Sequence, residues 1–224
     1  MLAQKIIETV SGYIRLEDFT RSASANVSSN DAKYASSTVL AVRDACNPES
    51  QKHIKLDISS FVLICGSDGV NEDGGVQFVR ELVEAARVAA PGQACSSVLA
   101  GHASESDEYA DIGLVFSSGT LNIDPPSEDL EKDARAVLSS LGLDASVSAQ
   151  ITPLSLLDKT KLPIAFNVSA QTPDVQRIAL LLSRLSHRFA FSVSLNETVF
   201  HFLLGQLPDS DSWLGLLGLG TTSD

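Results

Sequence analysis

Methionine and tryptophan each occur once in this chain, and cysteine and tyrosine three times each. The three cysteines, Cys46, Cys65 and Cys95, are odd in number and far apart. No disulfide frame is therefore expected, only reduced, buried thiols. No two histidines or cysteines stand at metal-ligand spacing, so neither a metal site nor a cofactor is expected. Basic residues are also scarce, 16 Lys and Arg against 28 Asp and Glu, giving a formal net charge of −12. That balance disfavours wrapping of nucleic acid or docking on an anionic membrane by the molecule as a whole. No run of eighteen apolar residues occurs, and residues 1–16 carry Lys5, Glu8 and Arg15 where a signal peptide would be apolar. A cytoplasmic or nuclear location is the expectation. The triplets beginning at Asn26, Asn167 and Asn196 match the glycosylation pattern, but with no export signal they read as coincidence.

What the chain does have is apolar content: 44% of 224 residues, ample for a buried core. Its clearest stretch runs from Leu162 to Leu207. In residues 164–170 Ile164, Phe166 and Val168 alternate, which predicts a strand covered on one side. Thr172 then offers a hydroxyl N-cap, Pro173 sits where a missing N–H costs nothing, and Asp174 complements the positive helix end. Val175, Ile178, Leu181, Leu182 and Leu185 follow at helical spacing, so a one-sided helix is predicted over 172–188. Residues 189–195, a short turn at Asn196 and Glu197, and residues 198–204 read as a hairpin beneath it. A β-α-β-β unit results. A similar order can be read from Ile54 to Ile123, with strands at 54–58, 61–65, 95–100, 112–116 and 121–123 and a helix from Gly74 to Ala89. The expected fold class is α+β, mixed, with two similar β-α-β-β units, flanking helices and a mostly antiparallel or mixed sheet.

Four segments follow from this reading: an N-terminal helix and polar tether (1–30), a first α/β unit (31–143), a second β-α-β-β unit (144–207) and an apolar tail (208–224). Residues 31–46 lean towards helix, stopped by Asn47 and Pro48, and Ser127 to Leu141 towards another, ended by Gly142.

Chemistry-bearing motifs are thin. The loop 66–75 lies between a predicted strand and helix, where α/β proteins place ligands. It carries Asp68, Glu72 and Asp73 without a basic residue, which does not suit phosphate, and its spacing departs from a calcium loop. Ser67 lacks the Gly-x-Ser-x-Gly register of a nucleophile elbow. His102, His187 and His201 are not tied to Ser67 by spacing, and His102 sits in an acidic loop that tolerates such a residue freely. No catalytic residue is assigned.

Two features point instead to partners. Arg177, Arg184 and Arg188 recur at seven and four residues, a basic edge on the predicted helix suited to an acidic protein surface. Trp213, Leu214, Leu216 and Leu217 lie beyond the last predicted strand among glycines; such a segment either folds back over the sheet or inserts into a groove on another subunit. The expectation is a non-catalytic interaction, scaffolding or assembly subunit. It would act as a homo- or hetero-oligomer through sheet edges, the N-terminal helix and the C-terminal tail, binding protein but not membrane or nucleic acid. The alternative is a small-molecule, hydrolase-like enzyme using the 66–75 loop and His102.

Overall fold

The computed structural model describes residues 29–47, 54–57, 59–66, 74–103, 109–123, 129–143, 149–166, 172–195, 197–208 and 210–221. Four helices occur among them: α1 (Ser29–Ala45), α2 (Gly74–Ala89), α3 (Leu130–Ser140) and α4 (Pro173–Ser183). The seven strands are β1 (Ile54–Asp57), β2 (Val62–Cys65), β3 (Ile112–Phe116), β4 (Ile151–Pro153), β5 (Ser186–Leu195), β6 (Thr198–Gln206) and β7 (Trp213–Thr221). They form one sheet in the order β1-β2-β3-β7-β6-β5-β4. Every neighbouring pair is antiparallel except β2 and β3, which are parallel and joined through α2. The chain is thus α+β with a mixed sheet. The predicted N-terminal helix lies outside the described residues.

The segment expected to be a tail is the middle strand. Trp213–Thr221 pairs with β3 on one side and β6 on the other. Its glycines argue against a helix, but in a strand they admit close neighbours. A Cβ on Gly215 would lie 1.9 Å from the Leu203 carbonyl oxygen, and one on Gly218 would lie 2.5 Å from both Asp111 Oδ1 and Ser97 Oγ. Alternate residues supply both faces: Trp213, Leu217 and Leu219 pack on one, Leu214 and Leu216 on the other. Burial on both sides explains the near-continuous apolar run. Trp213 is 2% exposed and Leu214, Leu216 and Leu217 are fully buried, so these four residues are core and form no surface patch. β7 also joins β1–β3 to β4–β6, so the two units read from the sequence are halves of one sheet.

Helices cover both faces. α1 buries Ala32, Ala35, Val39 and Val42, and α3 buries Ala134, Val137 and Leu138, in a core with Leu114, Phe116, Phe191 and Phe202. The Phe191 and Phe202 rings stack at 4.7 Å. On the other face α2 contributes Val79, Leu82 and Val83, and α4 contributes Val175, Ile178 and Leu182, over Val62, Val115, Leu203 and Leu216. Gly113 is pinned there, because an added Cβ would meet Val79 Cγ1 at 2.5 Å.

Three short predicted strands are not formed among the described residues. Ile164–Phe166 is a 3-10 turn in which the Phe166 N–H donates to the Pro163 carbonyl; Phe166 is buried while Ile164 is 58% exposed. A proline start with one buried side chain suits a tight turn better than a ladder; residues 167–170 lie outside the described part. Residues 95–100 form a turn, as argued below, and Leu121 and Ile123 are buried without strand pairing. α3 is capped by Asp129, whose carboxylate accepts from the Lys132 N–H at 3.0 Å, rather than starting at Ser127.

Candidate docking surface

α4 begins as the sequence predicts. Thr172 Oγ1 accepts from the Val175 N–H at 3.3 Å, and Pro173 occupies the first turn. It ends earlier, at Ser183, with only Arg184 and Leu185 before β5. The chain turns sharply there: His187 has φ +49°, and the β5–β6 register shifts between Ser186 and Phe189. A Cβ on Gly205 would meet Leu185 Cβ at 2.9 Å and Arg188 Cγ at 3.0 Å, so β6 needs glycine where this corner crosses it.

The early end separates the three arginines. Arg188 lies on β5, half-buried, and its Nη1 donates to the Leu182 carbonyl at 2.7 Å. It caps the negative end of α4 and does not continue a helical edge. Arg177 and Arg184 are both exposed. The Arg184 guanidinium lies over the Phe78 ring of α2, 5.0 Å from its centroid, a cation–π contact that fixes where α4 ends against α2.

Between the two arginines the structure places a residue that periodicity passed over. Leu180 is 69% exposed, more than any other large apolar side chain among the described residues. Three residues after Arg177 and four before Arg184, it shares their ridge. The signal was present in Leu180-Leu181-Leu182: three consecutive residues sweep about 200° of a helix, wider than an apolar stripe of roughly 100°. One had to face outward.

A second polar cluster lies inside the protein. Asp111, 6% exposed, accepts from Ser97 Oγ at 2.6 Å and from the Val98 N–H at 2.6 Å. Ser97 Oγ in turn accepts from the Leu99 and Ala100 N–H groups at 3.2 and 3.0 Å. The pair caps the turn that replaces the predicted strand at 95–100. It occupies the space a side chain on Gly218 would take. Burial pushes the Asp111 carboxyl up to about 6, against the lowering effect of these hydrogen bonds. The Ser97 proton is held by the carboxylate and its lone pairs by backbone N–H groups, which describes a cap, not a nucleophile. On β6, opposite Gly218, His201 is 7% exposed with Nδ1 unpartnered, and desolvation lowers it to about 4.

The remaining sequence candidates fall partly outside the described residues. Ser67 and residues 68–73 lie outside the described part, and His102 and His187 are exposed. At the carboxyl ends of β2 and β3, Gly66, with φ +137°, packs against Ser117 and Thr120. Among the described residues no group of three or more His, Cys, Asp or Glu side chains could hold a metal ion. No helix among them is long and apolar enough to cross a membrane. The sheet edges are short: β1 has four residues, and β4 has three and ends at Pro153, which has no N–H to offer.

No protein-family model matches the chain, and no curated protein matches it in sequence.

Proposed function

We propose that this protein is a non-catalytic interaction or assembly subunit that docks a protein surface on the outer ridge of α4. One observation carries the reading: Leu180 stands 69% exposed between two arginines on a well-capped helix. A single exposed leucine is ordinary, but one framed by positive charge in a chain of net charge −12 is a local exception. An apolar anchor within a polar rim is the usual anatomy of a docking patch, where the anchor supplies affinity and the charges supply orientation and association rate.

The test replaces the anchor without touching the core. Tagged full-length protein is recovered from its native source as wild type, as Leu180→Asp and as Glu131→Lys, the last altering an exposed residue of α3 on the opposite layer. The reading expects associated protein, a second copy included, to be retained by wild type and Glu131→Lys and lost from Leu180→Asp. Equal retention by all three would sink it.

A further inference from the structure

We infer that the surface seated on this ridge is the same face of a second copy of the chain, related by a two-fold axis parallel to α2 and α4. The inference rests on the docking reading above and names its partner.

α2 and α4 pack side by side, and the position of Arg184 over Phe78 sets the end of α4 beside the first turns of α2, so the helices are antiparallel. Their outer ridges differ in sign. α4 presents Arg177, Leu180 and Arg184, while α2 presents Glu81, Glu84 and Val88, the last 40% exposed. Of the two arginines of α2, Arg80 pairs with Asp57 at 3.0 Å, while Arg87 is shared between Glu84 and Asp31 of α1, so Glu81 is the ridge carboxylate with no arginine of its own helix paired to it.

A two-fold axis parallel to the helices keeps every residue at its own height, so the register within one copy also fixes the register between copies. Stepping from Arg184 back to Arg177 spans about 10 Å at 1.5 Å per residue, the same distance as from Phe78 to Ala85. Arg177 is therefore level with Glu84 and Ala85. Leu180 is level with Glu81 and Leu82, and Arg184 lies within a turn of Glu81. Placing α4 of one copy over α2 of the other sets each basic ridge on an acidic one, twice. The other symmetric choice, α4 on α4 about Leu180, would bring Arg184 against Arg177 of the other copy, and like charges oppose it.

The area limits the strength. With α2 about 24 Å long, α4 about 17 Å long and the layer about 20 Å wide, the face offers roughly 400 Å² per copy, or about 800 Å² in all, under the roughly 1,000 Å² of a stable specific interface. The association is thus weak, reversible and salt-sensitive.

Sedimentation equilibrium on the full chain tests this from micromolar to several hundred micromolar, at low and high salt. Wild type is expected to dimerise at low salt and to weaken as salt rises. Arg177→Glu with Arg184→Glu makes both ridges acidic, and Glu81→Lys with Glu84→Lys makes both basic. Each doubly substituted protein alone should self-associate at least tenfold more weakly, and an equimolar mixture of the two should associate again. Glu84 also pairs with Arg87, so Glu81→Lys alone replaces the second variant if its thermal midpoint falls. A wild type that stays monomeric throughout, variants that associate as wild type does, or folded variants that fail to associate on mixing would each overturn the second copy as partner. A monomer whose native associations still depend on Leu180 sinks the second copy alone, whereas a monomer with Leu180-independent associations sinks the docking surface with it.

Discussion

Truncating Leu216 or Leu217 to alanine distinguishes a central strand from an appended tail. Both side chains are fully buried, Leu216 against the α2 and α4 layer and Leu217 against the α1 and α3 layer. Each change removes buried methyl groups and leaves a cavity that close-packed neighbours fill only in part, a loss of about 2–5 kcal/mol. A domain with 5–15 kcal/mol of stability would lose a large share of it. With a urea dependence of about 3 kcal/mol per molar, a loss of about 3 kcal/mol lowers the unfolding midpoint by about 1 M. The chain supplies its own reporter, because its one tryptophan, Trp213, begins β7, 2% exposed and edge-on to Phe189 at 5.3 Å. Trp213 fluorescence and far-ultraviolet circular dichroism should give coincident transitions in wild type, as one cooperative unit requires. Midpoint shifts below about 0.2 M in both variants, or a tryptophan transition well before the dichroism transition, would refute a β7 that holds the two halves of the sheet together.

Two further outcomes follow from buried or capping groups. Asp111 binds its proton more tightly folded than unfolded, so its contribution to stability falls as pH rises from about 4 to about 6; His201 binds its proton less tightly folded, so its contribution rises from about pH 4 to 6.5. Each amounts to about 3 kcal/mol at roughly 1.4 kcal/mol per pKa unit, and they oppose each other. Wild-type stability should therefore be nearly flat between pH 4 and 6.5, rising with pH in Asp111→Asn and falling in His201→Gln; urea unfolding curves with one common pH profile would contradict this. Arg188→Met keeps the stem along Gly205 but removes the donor to Leu182, and should cost about 1 kcal/mol, or a thermal midpoint lower by about 2–4 °C, while Arg177→Met changes it hardly at all. Equal midpoints for the two methionine variants would remove the capping role.

The elements legible in the sequence were those whose signals are local. Thr172, Pro173 and the apolar stripe announce α4, and the alternation around Asn196 and Glu197 announces the β5–β6 hairpin, because caps, period and turn chemistry are read within a few residues. β7 was missed because its glycines act at a distance: only Leu203, Ser97 and Asp111, remote in sequence, show why Gly215 and Gly218 must lack a side chain. The end of α4 was misplaced for a related reason. Arg184 and Arg188 continue the helical spacing, but the corner at His187 and Gly205 is set by packing against β6. Of the candidate docking residues, the two exposed arginines were visible as charge, and Leu180 only as the excess leucine in a stripe already full. The capped turn at Ser97 had its serine in view, yet its carboxylate partner stands fourteen residues later, beyond any local pattern.

Intermolecular photo-crosslinking from position 180 tests the central claim most directly. A photoreactive phenylalanine replaces Leu180, the labelled protein is mixed with an isotopically heavy copy of wild type, and crosslinks between light and heavy peptides are mapped. The account predicts that they concentrate on the α2 peptide containing Glu81 and Glu84 of the heavy copy and fade at high salt. Light–heavy crosslinks centred on α1, α3 or the β4 edge, or none at concentrations of several hundred micromolar, would contradict it.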